Sequence, residues 1–423
     1  MATRVMKVVT KNWKPSPFVS LQEWRRRTLC SNVPTTSTSS RGKLKLPLLD
    51  EKKRVAEQNA GFLDLKLIPE DLPRLVDIRY HDLKENFFLM TRPSDLHVIN
   101  YLKLAQEENL SKGDSLAKKK VGLLLDGRPG VGKSTTLLRA VHWCRRNDWL
   151  VMYMPRLFDI LNASSSLILS QPGTEKTDPW VDCLHVDRPV EAFKAVQNML
   201  KAHITQLSKI PLRLPSNDDS VENGNNLAEW LQSGIKQYQH HMKLEDEKTA
   251  GRVITDVYLG LVEQLKQVTE YPVALILDEY NFVYGLSPFR DQVRRRFHAS
   301  AFRMMWPLLD FEKLGQSLAN GLVLAATCRS LMPYKIRRKL IAQCSHFPLT
   351  LEQRNDQTGE EQMKALEPYR VYVEPFQLDE VKQFLALYEQ SEFIQQHSES
   401  EYIRAYLKSG GEMDKLHRLC WTL

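Results

Sequence analysis

The stretch "VGLLLDGRPGVGKSTTLLRAVHWCRR", Val121–Arg146, decides how the rest of the chain is read. An apolar run of strand length, 121–125, gives way at Gly127 to a glycine-bearing loop, and a helical pattern begins near Gly132. Gly127, Gly132, Lys133 and Ser134 satisfy G-x-x-x-x-G-K-[ST], with Arg128, Pro129, Gly130 and Val131 in between. The pattern has a physical reason. Glycines let successive backbone N–H groups converge without a Cβ in the way, at the positive end of the following helix. The loop 127–135, Thr135 included, is therefore expected to cradle nucleotide phosphates. Lys133 is expected to reach the β- and γ-phosphates, and Ser134 to ligate Mg²⁺.

A partner motif lies downstream. In "PVALILDEY" (272–280) Asp278 ends an apolar strand, where it can complete the Mg²⁺ shell from the sheet's C-terminal edge. Glu279 has two readings: the catalytic carboxylate that orients attacking water, or a solvated acid beside a turn. Thr327, closing "GLVLAAT" (321–327), takes the position of a polar sensor for the γ-phosphate. Strands are expected at 121–125, 149–155, 272–280, 321–327 and 369–375. Helices separate them, among them one spaced by Phe193, Val196, Leu200, Ile204 and Leu207 and one opened by "NLAEWL". That alternation predicts an α/β domain, a P-loop NTPase parallel sheet of the AAA+ or STAND kind. No N-K-x-D tetrapeptide occurs, so the motifs lean towards the ATPase-like branch and leave GTP and ATP both open.

The 423 residues allow two or three compact units, and 42% hydrophobic with 26% charged residues is an ordinary soluble composition. No stretch reaches the roughly 18 consecutive apolar residues of a membrane span. The net charge of +8 is unevenly spread: residues 1–49 hold ten Lys/Arg and one acid, Glu23, while the remainder is near balance. Wound as a helix, Arg4, Lys7, Lys11 and Lys14 share one sector, and Val5, Met6, Val8, Val9 and Trp13 take the other side up to Pro15. Basic, amphipathic, Ser-rich and acid-poor is the signature of a mitochondrial transit peptide. The other reading is a disordered basic tail on a cytosolic protein. The expected organisation is a basic extension (1–49), a helix and loop region (50–115), an NTPase core (116–376) and a C-terminal helical lid (377–423).

Six cysteines show no C-x-x-C pairing, and Cys144 and Cys328 read as buried thiols. The basic runs Arg25–Arg27, Lys118–Lys120, Arg294–Arg296 and Arg337–Lys339 are either phosphate contacts on RNA or solvated faces.

From about residue 75 onward the pieces resemble one family, the mitochondrial ribosomal small-subunit proteins also called death-associated protein 3. The likeness rests on "LLLDGRPGVGKSTTLLRAVHWCRRNDWLVMYMP", "NLAEWL", "LILDEYNFVYG", "FRMMWPLL…ANGLVLAATCRSL", "LEPYRVYVEPFQLDEVKQFL" and "GGEMDKLHRLCWTL", in that order. The resemblance implies guanine-nucleotide binding and a place in the head of the mitochondrial small subunit, facing the large one. It also implies partners in small-subunit rRNA and neighbouring proteins, and a link to apoptosis. Animal members tend to lack an acid after the aspartate, whereas Glu279 is present here. The expected function is a structural subunit holding GTP or ATP with Mg²⁺, with slow or absent turnover. The rival is a free ATPase of the STAND or AAA+ type whose lid drives a partner.

Overall fold

Apolar runs buried on both faces form the centre of the molecule. The computed structural model describes residues 60–62, 68–70, 88–110, 121–162, 167–170, 185–213, 225–290, 296–328, 369–390, 394 and 398–420. Five strands make one sheet: β1 (Gly122–Asp126), β2 (Leu150–Met154), β3 (Val273–Leu277), β4 (Gly321–Ala326) and β5 (Arg370–Tyr372). Their order is β5-β1-β4-β3-β2, and every pair is parallel. Each strand expected from the sequence is present, and each lies within its expected stretch or one residue beyond it.

Alternation along the strands divides the core. Leu124, Met152, Leu275 and Val323 pack in one cluster, while Leu123, Leu125, Val151, Ile276 and Leu324 pack in another. Successive side chains on a strand point to opposite faces, so each run supplies both clusters at once. The second face is covered by α1 (Pro93–Leu110) and α2 (Lys133–Arg146), through Val98, Leu102, Leu137, Leu138 and Val141. Between β2 and β3 the chain forms α3 (Leu157–Asn162), α4 (Pro189–Leu207), α5 (Leu227–Lys243) and α6 (Glu247–Gln267). The last three pack on the first face through residues such as Val196, Leu231 and Tyr258, joined by α7 (Phe311–Ser317). Asn226 and Asp246 cap α5 and α6 by accepting from the N–H of Glu229 and Thr249, leaving fewer unpaired amides at the helix starts. The C-terminal α8 (Leu378–Gln390), α9 (Glu399–Ser409) and α10 (Met413–Cys420) share a small core of their own around Leu385, Tyr388 and Leu416.

Several expectations need correction. The region before α1 includes an antiparallel strand pair, Ala60–Phe62 with Phe88–Met90, where only helix and loop were expected. Ile204, placed on the apolar face of its helix, is 49% exposed. The backbone leaves helical geometry at His203 (φ −133°), which turns His203 inward instead. Cys328 is half-buried, whereas Cys144 is fully buried as expected. Residues 1–49, Arg25–Arg27, Lys118–Lys120, Arg337–Lys339 and most of the loop at 214–226 lie outside the described residues, as do Arg294 and Arg295. Among the described residues no helix is long and apolar enough to cross a membrane.

Candidate functional site

The strand order brings three C-terminal strand ends together. β4 lies between β1 and β3, so Thr327 sits between the loop that follows β1 and the Asp278–Glu279 pair that follows β3. In the loop Val131 is buried and anchors the backbone in the core beneath it. Gly130 (φ +74°) and Gly132 (φ +96°) adopt left-handed backbone on either side of it. A Cβ on Gly130 would lie 2.9 Å from Asp414 Cβ, so glycine is needed there for space as well as for conformation. Lys133 is buried, and its Nζ donates to the carbonyls of Gly127 (3.0 Å) and Arg128 (2.8 Å), folding the ammonium across the loop. Arg128 is exposed, and Pro129 half-buried. Thr135 donates to Gly132 O at 2.5 Å. α2 starts at Gly132 without a side-chain cap, so its first N–H groups are not taken by its own N-cap residue.

The second wall is carboxylate. Asp278 is buried and hydrogen-bonded to the Ser134 side chain. Burial pushes its pKa up to about 6, against the opposing pull of Ser134, the Glu279 N–H and Lys133. Two hard oxygens, one hydroxyl and one carboxylate, thus meet beside the glycine loop. That donor pair suits Mg²⁺, which binds through few protein oxygens and takes the rest of its shell from phosphates and water. Among the described residues there is no group of three or more His, Cys, Asp or Glu that could hold a metal by itself.

Glu279 is not a solvated acid. It is 5% exposed, its backbone is left-handed (φ +63°), and its Oε2 accepts from the Phe158 N–H at 3.0 Å in the first turn of α3. Thr327 is also buried; its Oγ1 donates to Asp126 Oδ1 at 2.6 Å, and the other oxygen of Asp126 pairs with Arg370. Of the two arginines whose positions in the chain could let them stabilise charge on a transferring phosphate, Arg418 pairs with Asp414 on the exposed side of α10, and Arg329 lies outside the described residues.

Three buried polar residues escaped the motif reading. Asp126 closes an apolar run, and that acid in "LLLDG" was the visible signal. Arg92 and Asp95 gave none. Asp95 accepts from the Arg92 N–H (3.0 Å) and from Thr136 Oγ1 (2.5 Å), which ties the start of α1 to α2; burial raises its pKa.

The family profile described as mitochondrial ribosomal death-associated protein 3 matches residues 90–419. The chain belongs to that family. The match runs from the strand before α1 to the end of α10, so the glycine loop, Asp278 and the C-terminal helices all lie inside it. A relative from Mus musculus, small ribosomal subunit protein mS29, is 22% identical over 371 residues, covering 85% of this chain and 83% of its own length. The Bos taurus protein of the same name is 24% identical over 217 residues, 49% of each chain. As a death-associated protein 3 family member, the chain is mitochondrial.

Proposed function

We propose that this chain is a structural component of the mitochondrial small ribosomal subunit, holding a purine nucleotide with Mg²⁺ in the loop 127–135 as a bound structural ligand. Family membership and the names of the relatives support the ribosomal part. The observation that carries the nucleotide part is the meeting of Ser134 with Asp278 beside a loop whose glycines have positive φ. The strand order β5-β1-β4-β3-β2, which interposes β4 between the loop strand and the Asp278 strand, supports a P-loop NTPase core. Ser134 and Asp278 would hold the Mg²⁺, which would neutralise phosphate charge. Lys133 would exchange its two loop carbonyls for phosphate oxygens.

Glu279 supports holding over turnover. A carboxylate whose Oε2 takes the Phe158 N–H is engaged in packing α3, and its left-handed backbone fixes its direction. In this reading residues 1–49 direct import, and the helices from 377 on form the lid. The basic runs contact small-subunit rRNA, with the large subunit across the intersubunit face.

Thermal melting with GDP, GTP, ADP or ATP plus Mg²⁺ tests the site. A ligand at 100 times its dissociation constant stabilises the folded form by roughly 2.7 kcal/mol. A melting temperature unmoved by all four would remove the nucleotide reading. Sedimentation through high salt separates a subunit from a free ATPase that associates loosely.

A further inference from the structure

We infer that Arg92 and the leading edge of α10 are the outer half of the phosphate cradle, so that nucleotide binding is linked to docking of the C-terminal helices. The inference rests on the nucleotide reading above and adds to it two elements that no phosphate-loop motif contains.

A trans peptide unit is planar, and its C=O and N–H point in opposite directions. The carbonyl of Gly130 accepts from the Met413 N–H at 2.8 Å, so the N–H of Val131 in the same plane faces away from α10. The carbonyl of Val131 accepts from Arg92 Nη1 at 2.6 Å, so the N–H of Gly132 faces away from Arg92. Two successive carbonyls are thus held outward by partners outside the loop. The amides they orient are the ones a phosphate nest uses. Positive φ at Gly130 and Gly132 gives the alternating handedness such a nest requires.

Arg92 is built in rather than draped over the surface. It is 6% exposed, and its guanidinium lies over the Phe376 ring, 3.7 Å from the centroid. Its Nε donates to Glu380 Oε1 at 3.1 Å and its Nη2 to the Glu374 carbonyl at 3.0 Å. Those partners belong to the segment that leads into α8 and to its first turn. The same segment is bonded to the α9–α10 junction, where Phe376 N–H donates to Gly411 O at 2.9 Å. One arginine therefore joins the loop, the entry to α1 and the C-terminal helices. Moving the helices away would release the Gly130 carbonyl and strip Arg92 of Phe376, Glu374 and Glu380, which hold its guanidinium on the Val131 carbonyl, and so free the loop to rotate its amides. By linkage, a nucleotide that requires those amides must favour the docked arrangement by the same factor.

The test measures Mg²⁺-GDP and Mg²⁺-ADP affinity of the full chain, wild type beside Arg92→Gln, Arg92→Lys and Glu380→Gln, together with amide hydrogen exchange over 410–420 with and without nucleotide. Arg92→Gln is expected to weaken binding at least tenfold. Arg92→Lys, which can still reach one carbonyl, should recover part of that, and Glu380→Gln should lose less than Arg92→Gln. Nucleotide should slow exchange over 410–420 in the wild type and have little effect on it in Arg92→Gln. Wild type that binds neither nucleotide would overturn the function proposed above, and this inference with it. Wild type that binds, with Arg92→Gln within twofold of it, would overturn the inference alone. If Arg92→Gln fails to fold, exchange in the wild type decides, and rates over 410–420 unchanged by a bound nucleotide would overturn it.

Discussion

Phe158 donates its backbone N–H to Glu279 Oε2 across 3.0 Å, joining the first turn of α3 to the residue that follows Asp278. One of the two carboxylate oxygens is in this way committed to a helix end. Glutamine keeps an acceptor oxygen there, so Glu279→Gln should change neither melting temperature nor phosphate release appreciably. Glu279→Ala removes the acceptor and should lower stability by about 1.5–3 kcal/mol, the usual worth of a hydrogen bond to a charged group. Chemical denaturation of the two variants, with a phosphate-release assay, makes the comparison. A Glu279→Gln variant that abolishes fast wild-type turnover would assign the residue to catalysis.

Two glycines with left-handed backbone should behave differently. A Cβ at Gly130 (φ +74°) would meet Asp414 Cβ at 2.9 Å, whereas one at Gly410 (φ +60°) would have no atom within 4 Å. Gly130→Ala combines backbone strain with a clash and should cost about 1–3 kcal/mol, with loss of nucleotide binding. Gly410→Asn, at the αL cap of α9, should be tolerated within about 0.5 kcal/mol. Denaturant midpoints for both variants check the contrast.

Thr327 was expected to read the γ-phosphate, and its Oγ1 bonds Asp126. Thr327→Val keeps the shape and removes one donor from Asp126 Oδ1. Stability should fall by about 1–3 kcal/mol whether or not nucleotide is present. A variant that melts like wild type without nucleotide but loses the nucleotide-induced shift would restore the sensor role.

Four of the five strands were legible because parallel strands buried on both faces read as apolar runs, as "GLLLD", "LVMYM", "VALIL" and "GLVLAA" do, whereas β5 at the sheet edge is only half-buried to exposed. The glycine loop and Asp278 were legible because the motif sets particular residue types at fixed spacing between a strand and a helix. Arg92 was not, since its partners Val131, Glu374 and Glu380 are distant in sequence and only the fold brings them within reach. Ile204 was misplaced for a local reason: a helical period holds only while the backbone stays helical, and at His203 it does not. The burial of Glu279 depends on α3, whose first turn supplies the N–H, and nothing near residue 279 in the chain announces it.

The kink at His203 predicts a pH response. His203 Nε2 accepts from the Val151 N–H at 3.1 Å and Nδ1 bonds Gln206 at 2.6 Å, an arrangement that uses the neutral ring. Burial lowers its pKa from 6.5 to about 4. The unfolded chain therefore takes up a proton between pH 6.5 and 4 while the folded one does not. Stability should be unaffected by this group above pH 6.5, fall as pH drops towards 4, and level off below, a loss on the order of 3 kcal/mol in all. His203→Gln should flatten that slope in urea titrations run from pH 7 to pH 4.

Whether the proposed purine nucleotide is held or cycled is decided most sharply on salt-washed mitochondrial small subunits. Nucleotide released by denaturation is identified and counted per copy of this chain, and phosphate release is followed on the same particles. A structural ligand predicts close to one guanine or adenine nucleotide per copy, retained through the wash, with turnover far below 1 s⁻¹, the low end of ordinary enzymes. Particles that carry none, or that hydrolyse added GTP or ATP at about 1 s⁻¹ or faster through this site, would contradict it.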